Sequence, residues 1–475
     1  MKIHIQHGDI HLTDLQTRMP FKYGIATMTR TPHAFLRLEV EVDGQHHTGI
    51  SADSLPPKWF TKDPDRALDE EVAEMLEVIE HARASATGLR AETAFAAWRE
   101  LYGVQMAWGR RRGFPPLLSS FGAALVERAL VDAVCRAVGR PFAAVLRTNQ
   151  LGFRLEEVHA SLAGKTPADF LPEQPLSRIT IRQTVGLADP LDDNEIAVNE
   201  RLHDGLPQSL SACIAFYGLR HFKIKVSGHL EHDRERLLRI ARVLAGHAAR
   251  DYAFTLDGNE QFHTLPEFRE FWETLLGSQE LREFFQHLLF VEQPFHRDVA
   301  LRGDIVGGLA EWRNCPVMII DESDGDLDSL PQALALGYAG ASYKNCKGLF
   351  KGVINYCLLK QRQREQPARP AIISGEDLVN IGPVALLQDL AVCAALGLGS
   401  VERNGHHYFR GLSMFPPQVQ QQVLRAHADL YRASSAGWPA LKIDSGAIAL
   451  DSVNAAPFGV GFELDIEMVE SQTSM

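Results

Sequence analysis

The chain has little cysteine, and its cysteines form no pattern that binds metal or builds a disulfide framework. The six cysteines are scattered through 475 residues, and no two form a C-x-x-C pair. Thiols spaced in this way are typical of small apolar residues in a protein from a reducing compartment. The sequence therefore disfavours a disulfide-stapled secreted domain and a cysteine-based zinc site.

Long apolar runs and an excess of positive charge are also missing. The first residues, Met1 to His7, lack the apolar centre of a signal peptide, and no run reaches the length of a membrane-spanning helix. The formal net charge is −12, which disfavours nucleic acids and anionic membranes as partners. We therefore expect a cytoplasmic protein that binds neither nucleic acid nor membranes.

The apolar pattern divides the chain into three parts. Residues 1–150 begin with alternating strands, joined by a glycine-containing loop at Pro20–Ile25, and continue with helical periodicity. Residues 151–413 alternate short apolar runs with helix-length amphipathic stretches. In residues 414–475 this alternation is lost, and we expect a small β element that packs back on the first part.

The middle part contains eight apolar runs of strand length, each separated from the next by a helix-length stretch. A regular β-α alternation of this kind predicts a parallel sheet, and eight strands predict a closed (β/α)8-type barrel. The eight runs are Ile179–Ile181, Phe222–Val226, Ala253–Leu256, Leu288–Val291, Val317–Ile320, Gly340–Tyr343, Ala371–Ile373 and Ser400–Val401.

Two lysines, Lys223 and Lys225, alternate with apolar residues in the second of these runs. Side chains two apart in a strand project from the same face, so both ammonium groups lie side by side. Adjacent cations are costly unless anions face them. An isolated K-x-K is more often an exposed edge strand, where lysine discourages aggregation.

Suitable anions follow at regular intervals. Asp257, Glu292 and Asp321 each come directly after an apolar run, and Lys344 follows the next run. About 30 residues, one strand-plus-helix unit, separate each position from the previous one. In a parallel barrel all of them lie at the carboxyl-terminal rim, where barrel active sites are found.

Three converging carboxylates repel one another unless a cation joins them. Oxygen ligands without histidine or cysteine favour a hard cation such as Mg²⁺, with Mn²⁺ as the alternative. A metal ion and a second ammonium group nearby are expected to lower the pKa of a lysine. Such a lysine beside a metal ion is suited to removing a proton α to a carboxylate.

The whole set resembles the enolase superfamily, in its mandelate racemase and muconate-lactonising branch. Arg18–Gly24 resembles the mobile loop of that family's N-terminal capping domain, Asp43–Ser51 resembles the hairpin that follows, and Pro457–Gly461 resembles the closing segment. The resemblance implies a modified barrel, (β/α)7β, with an α+β cap.

The resemblance also implies roles for individual residues. Lys225 and Lys344 would be acid/base groups on opposite faces of the substrate, with Lys223 assisting Lys225. The implied metal ligands, for one Mg²⁺ per subunit, are Asp257, Glu292 and Asp321. The implied orienting groups are Asn259 and Glu322. Apart from the resemblance, four residues at strand ends or in loops are candidate substrate contacts: Tyr23, Glu376, Glu402 and His406.

One feature narrows the resemblance to a subgroup of this branch, and another departs from the usual pattern of the family. The seventh strand, which ends in Gly375-Glu376-Asp377, lacks the histidine of racemases and dehydratases of the mandelate type, so the two lysines resemble the muconate-lactonising subgroup. The loop after Lys344 lacks the usual paired glycines, which leaves Lys347 as a rival for its role. Residues 406–407 are either site histidines or a buried cluster.

These features predict an enzyme, a lyase or isomerase, that abstracts the α-proton of a small carboxylate and passes through an enediolate. Racemisation or epimerisation, cycloisomerisation and syn-elimination remain open. The alternatives are an acid-sugar dehydratase and a non-catalytic binding or assembly protein. We also expect a homo-oligomer.

Overall fold

The computed structural model describes residues 1–23, 25–247 and 251–470. The described strands are β1 (Ile3–Tyr23), β2 (Ala26–Val42), β3 (Gln45–Ser54), β4 (Arg90–Ala91), β5 (Arg178–Val185), β6 (His221–Lys225), β7 (Ala253–Asp257), β8 (Leu288–Glu292), β9 (Met318–Ile320), β10 (Gly340–Tyr343), β11 (Ile372–Gly375), β12 (Ser400–Glu402), β13 (Tyr431–Ala433), β14 (Pro439–Leu441) and β15 (Ala447–Ala449).

The described α-helices lie between and after these strands. They are α1 (Pro57–Phe60), α2 (Leu68–Ala86), α3 (Ala94–Arg112), α4 (Pro116–Val138), α5 (Phe142–Arg147), α6 (Leu210–Tyr217), α7 (Leu230–His247), α8 (Leu265–Gly277), α9 (Arg282–Phe285), α10 (Gly303–Val306), α11 (Ser329–Leu336), α12 (Leu349–Glu365), α13 (Ala385–Ala395), α14 (Gly405–Tyr408), α15 (Pro417–Ala426), α16 (Asp451–Ala455) and α17 (Glu467–Glu470). None of them combines the length and apolar character that crossing a membrane requires.

Strands β5 to β12 form the predicted parallel barrel. They are hydrogen-bonded in chain order, and β12 pairs with β5 to close the ring. Each of the eight apolar runs singled out in the sequence coincides with one of these strands, and three runs extend one residue beyond their strand. Short strands buried on both faces read as continuous apolar runs, which is why the barrel could be predicted. The fold class, a barrel with an α+β cap, is confirmed.

The cap begins with a four-stranded antiparallel sheet in the order β3-β2-β1-β4. The predicted loop at Pro20–Ile25 is wrong for most of its length, because β1 continues to Tyr23 and β2 starts at Ala26. The guanidinium of Arg18 holds this long hairpin on the barrel. It donates to Asp204 at 2.8 and 3.0 Å and to the carbonyl oxygen of His407 at 2.9 Å.

Helix α4 joins the cap to the barrel. Arg128 of this helix is fully buried and pairs with Asp53 of β3 at 2.9 Å. Glu127 accepts a hydrogen bond from the backbone of Leu349, at the start of α12. The helix therefore contacts the cap sheet on one side and the loop after β10, which carries Lys344, on the other.

The C-terminal segment contacts both the barrel and the cap. Strand β15 pairs antiparallel with β5 of the barrel, whereas α17 contacts β1 of the cap. The ring of Phe458 packs on Phe142 of α5, with ring centroids 4.9 Å apart. The segment thus ties the two parts of the fold together.

Candidate active site

The ends of consecutive barrel strands bring the ionisable residues of the sequence motifs to one rim. Lys225, Asp257 and Glu292 are the last residues of β6, β7 and β8, and they lie side by side in the strand register. Asp321 and Lys344 directly follow β9 and β10. All five side chains are at least 90% buried. The rim predicted from the sequence is therefore present.

Lys223 lies inside a ring of carboxylates. Its Nζ donates to Glu292 at 2.8 Å, Glu402 at 2.9 Å and Glu376 at 3.1 Å, and lies 3.3 Å from Asp257. Burial disfavours its charge, but these four anions outweigh burial and raise the pKa of Lys223 well above its usual value. Lys223 is thus a fixed cation that holds four strand ends together.

Lys225 has far fewer partners than its neighbour two residues earlier. Its Nζ contacts Oδ1 of Asn259 at 3.3 Å and lines the cavity above the rim. Asn259, which follows β7, donates from its backbone to Asp257 at 2.8 Å and from its side chain to Glu322 at 3.4 Å. Lys225 is therefore the lysine of the pair that is free to meet a ligand.

Lys344 faces the cavity from the opposite side. Strands β6 and β10 are four places apart in a ring of eight, so their ends are diametrically opposed. The Nζ of Lys344 lies 2.6 Å from both oxygens of Asp321 and 3.0 Å from Glu376, and the ring of Trp59 covers it at 5.1 Å. The pKa of Lys344 is raised: burial opposes the charge, but these carboxylates outweigh it. The lowering expected beside a bound metal ion stays a prediction.

Lys347, the rival of Lys344, lies behind it. Its Nζ donates to the hydroxyl of Ser342 and to the backbone oxygen of Asp321, both at 2.7 Å. It also lies 2.8 Å from the Asp321 carboxylate. Unlike Lys344, it does not line the cavity. Its contacts support the loop that carries Asp321.

Three buried carboxylates have oxygens within 4.8 Å of one another: Glu292, Asp321 and Glu376. Two of them belong to the ligand set implied by the sequence. Glu376 has four donors of its own, Lys223, Lys344, Arg182 and Ser374, and does not line the cavity.

The carboxylates at this rim suit a hard divalent cation. Oε2 of Glu292 is buried and has no hydrogen-bond partner, and burial together with Glu376 raises the pKa of this carboxyl well above its usual value. An orphaned carboxylate oxygen beside Asp321 and Asp257 is the kind of donor that Mg²⁺ or Mn²⁺ prefers. The residues therefore fit the implied metal.

A cavity lies above the rim and is lined by residues of both the barrel and the cap. Its lining includes Lys225, Lys344 and several other predicted site residues. The lining residues are Phe21, Met28, Pro56, Lys58, Trp59, Lys62, Lys223, Lys225, Asp257, Asn259, Glu260, Arg297, Asp321, Glu322, Lys344, Asp377, Leu378, Val379, Glu402 and Asn404.

Some of the predicted orienting groups and substrate contacts line the cavity and others do not. Asn259, Glu322 and Glu402 line the cavity, whereas Glu376 and His406 do not. Burial, Asp321 and Glu260 raise the pKa of Glu322 to about 8. The side chain of Tyr23 lies outside the described residues.

The two adjacent histidines are buried away from this cavity. His406 lies 3.2 Å from Gln183 and its ring meets Tyr217 edge-on, while His407 lies 3.5 Å from Cys213. Burial lowers the pKa of His406 to about 3. The structure thus shows the buried cluster that the sequence left as one of two interpretations.

Several residues with roles at the rim were not singled out from the sequence. Gln293 accepts from the backbone of Asp321 at 2.7 Å and so fixes the end of β9. Arg297 donates to Glu260 at 2.7 Å and to the backbone oxygens of Trp59 and Phe60 at 2.9 and 2.7 Å. The signal was present, since Gln293 directly follows Glu292 and Arg297 comes five residues after it.

Comparisons with known proteins bear on the fold. No family profile and no curated protein sequence matches the chain. A dipeptide epimerase from Enterococcus faecalis matches over 96% of this chain and 99% of its own, with 15% identity and a TM-score of 0.61. It was also solved with Mg and the dipeptide L-Leu-L-Tyr.

Two further structures match over nearly their whole length. A 2-chloromuconate cycloisomerase from Rhodococcus opacus covers 98% of this chain and 99% of its own at 18% identity, with a TM-score of 0.61. An N-succinyl Arg/Lys racemase from Bacillus cereus covers 100% and 98% at 14% identity, also with a TM-score of 0.61. These likenesses show the fold: a barrel with an α+β cap, shared with these three enzymes over nearly the whole chain.

Proposed function

We propose that this protein is a divalent-metal-dependent isomerase that removes and returns the proton α to the carboxylate of a small substrate. The observation that carries the proposal is the pair of lysines, Lys225 and Lys344, which line one cavity from opposed strand ends. Buried carboxylates lie between them. Two opposed acid/base groups are what racemisation or epimerisation needs, because one removes the proton and the other returns it on the other face.

Asp257, Glu292 and Asp321 would hold one Mg²⁺ per subunit. A bound divalent ion supplies electrostatic stabilisation for the negative charge that develops on the substrate carboxylate. Asp257 and Asp321 line the cavity, and Glu292 has the orphaned oxygen. Glu376, whose oxygens already accept from four protein groups, acts instead as the buried counter-ion of Lys223 and Lys344.

The chain's own residues prepare the proton transfer. Lys225 is held by one contact, to Asn259, and its neighbour Lys223 keeps the carboxylates of β7 and β8 in place. Lys344 is oriented by Asp321 and covered by Trp59, which excludes water from that side of the cavity. In a site closed by the cap, electrostatic interactions are stronger than in water.

One observation favours a second candidate, chemistry with a single base. Lys344 is restrained by three short contacts to carboxylates, whereas Lys225 has one longer contact. If Lys225 alone moves a proton, the reaction is a cycloisomerisation or a syn-elimination. The matches to an epimerase, a racemase and a cycloisomerase are consistent with either outcome on this fold.

Solvent deuterium exchange at Cα tests the proposal. The protein is incubated in D₂O with separate enantiomers of N-acyl amino acids, dipeptides and 2-aryl carboxylates, with Mg²⁺ and with chelator. We expect metal-dependent exchange, lost for one enantiomer in Lys225→Ala and for the other in Lys344→Ala. Exchange that persists after complete metal removal contradicts the proposal.

Two controls complete this experiment. Lys360→Ala, in α12 and away from the cavity, should leave exchange intact. Exchange that depends on Lys225 but not on Lys344, with products of ring closure or elimination, would establish the single-base candidate. Light scattering of the purified protein checks the proposed homo-oligomer.

A further inference from the structure

We propose that the substrate is a monocarboxylate whose far end is apolar and uncharged. This inference rests on the proposed function, because it describes the substrate of the same cavity. Besides Pro56, five apolar side chains line that cavity, and each of the five is more than 90% buried. They are Phe21, Met28, Trp59, Leu378 and Val379.

The apolar part of the lining comes from the cap and the loop after β11, whereas the reactive groups come from the ends of barrel strands. Phe21 and Met28 are paired positions of β1 and β2 in the cap, and Trp59 lies in the short cap helix α1. Leu378 and Val379 lie in the loop after β11. The reactive lysines and carboxylates come from the ends of β6 to β10. A substrate carboxylate placed at those strand ends therefore directs the rest of the molecule toward the cap and the β11 loop.

Val379 is held in this lining against its own conformational preference. Its φ is +60°, in the left-handed region, which is a genuine outlier for a β-branched residue. Its backbone N–H donates to Asp377 at 3.0 Å, and Asp377 pairs with the buried Arg403 at 3.0 Å. Backbone strain that surrounding contacts enforce at a cavity wall points to a role for that wall in ligand binding.

Lys58, Lys62 and Arg297, three further cations that line the cavity, already have protein partners. Lys58 lies 2.6 Å from Glu71, and Lys62 lies 3.0 Å from Glu260. Arg297 donates to the same Glu260 at 2.7 Å. A second carboxylate on the substrate would have to displace one of these pairs, and breaking a buried pair is costly.

The lining carboxylates offer no better site for a remote amine. Asp377 is paired with Arg403, and Glu402 is paired with the first lysine of β6. Glu322 keeps an oxygen without a partner, but it lies 3.4 Å from Asn259, on the reactive side of the cavity. An ammonium group at the far end would therefore be buried without a counter-ion.

Three acids with the same six-carbon chain separate the possibilities. Hexanoate ends in a methyl group, hexanedioate in a second carboxylate and 6-aminohexanoate in an ammonium group. Their dissociation constants are measured by ligand-observed NMR at saturating Mg²⁺. We expect hexanoate to bind at least about tenfold more tightly than the other two, because only it leaves no buried charge unpaired. Equal or tighter binding of either charged acid overturns the inference, as does failure of hexanoate to bind.

Variants of the wall test its position. Leu378→Lys supplies a cation and should reverse the preference, so that hexanedioate binds more tightly than hexanoate. Leu276→Lys, on the exposed face of α8, is the matched control and should change nothing. Val379→Asn accepts the left-handed backbone more readily, and it should weaken hexanoate several-fold without lowering the melting temperature. An unchanged preference in Leu378→Lys overturns the assignment of this wall.

The result of the binding experiment is independent of the result of the exchange experiment that tests the proposed function. Binding preferences of the three acids require no turnover, whereas the proposed function depends on metal-dependent exchange. Exchange on charged substrates would leave the proposed function intact and overturn the inference. Selective binding of hexanoate without any exchange would contradict the proposed function and leave the binding preference of the cavity intact.

Discussion

At the scale of single residues, the two lysines of β6 show how contacts separate identical side chains. Lys223 and Lys225 project from the same face of one strand. Lys223 is surrounded by four carboxylates, whereas Lys225 contacts a single amide oxygen. The pair and its face could be predicted from the period-two pattern. The difference in their contacts could not be predicted, because the contacting residues come from strand ends 30 to 180 residues away along the chain.

The contrast between Lys344 and Lys347 gives a first prediction. Lys344→Ala should lower the rate of exchange by about 10²- to 10⁴-fold, the usual contribution of a proton-transfer group. Lys347→Ala should lower kcat less than about tenfold but reduce the melting temperature, because Asp321 and Ser342 lose a buried donor. Discontinuous activity assays measure the change in kcat, and calorimetry measures the change in melting temperature. Full activity in Lys344→Ala combined with its loss in Lys347→Ala would exchange the two roles.

The carboxylates give a second prediction, on metal affinity. Asp257→Asn and Asp321→Asn should weaken Mg²⁺ binding by more than the about 10- to 100-fold typical of residues outside the ligand set. Glu376→Gln should weaken it less, while lowering stability by stranding two buried lysines. Isothermal titration calorimetry with Mg²⁺ measures this directly. If Glu376→Gln matches Asp321→Asn and Asp257→Asn does not, Glu376 is the third ligand.

At the scale of elements, the cap is joined to the barrel mouth by charged side chains. Arg18 holds the β1–β2 hairpin, and Arg297 holds the backbone of α1, which carries Trp59 over Lys344. The strands and helices themselves could be predicted from periodicity. The continuation of β1 through Pro20 could not be predicted, because Arg18, which holds this part of the hairpin on the barrel, contacts the distant residues Asp204 and His407.

Removing the α1 clamp is a third prediction. Arg297→Ala leaves Glu260 buried without its principal partner and should cost about 3–5 kcal/mol of unfolding free energy. The exposed Arg302→Ala is the control and should stay within about 0.5 kcal/mol. Calorimetry measures stability, and limited proteolysis reports whether the segment 57–66 becomes cleavable. A protected segment and an unchanged melting temperature in Arg297→Ala would show that the clamp contributes little.

Helix α14 gives a fourth prediction, on pH. Burial lowers the pKa of His406 to about 3, so its ring stays neutral in the folded protein, whereas the unfolded chain binds a proton below about pH 6.5. Stability should therefore fall from about pH 6.5 toward pH 4, by up to about 1.4 kcal/mol per pH unit for this residue. His406→Phe should flatten this dependence in thermal melts, and the exposed His232→Phe should not. Equal slopes in all three proteins would contradict the assignment.

At the scale of the whole molecule, cap and barrel share their packing. Helix α4 is buried between them, β15 extends the barrel sheet, and Phe458 packs on Phe142. We therefore expect the two parts to unfold together. The three-part division of the chain, at residues 150 and 413, stays a prediction about sequence segments.

Phe458→Ala is the fifth prediction. It removes a fully buried ring and should cost about 3–5 kcal/mol. The exposed Phe216→Ala serves as control and should have little effect. Scanning calorimetry should show a single transition shifted to lower temperature. Two separate transitions would indicate that the cap and the barrel unfold independently.

The amino-acid sequence by itself determined the barrel, its eight strands and the ionisable residues at their ends. These are local properties, since a strand's apolar run and the residue that follows it are adjacent in the chain. Only the tertiary structure decided which lysine is enclosed by carboxylates, that Glu376 joins them, that the two histidines lie away from the cavity, and that cap residues give it an apolar wall. Those features depend on side chains from distant segments meeting at one rim, where burial and mutual charge act between groups that no local pattern connects.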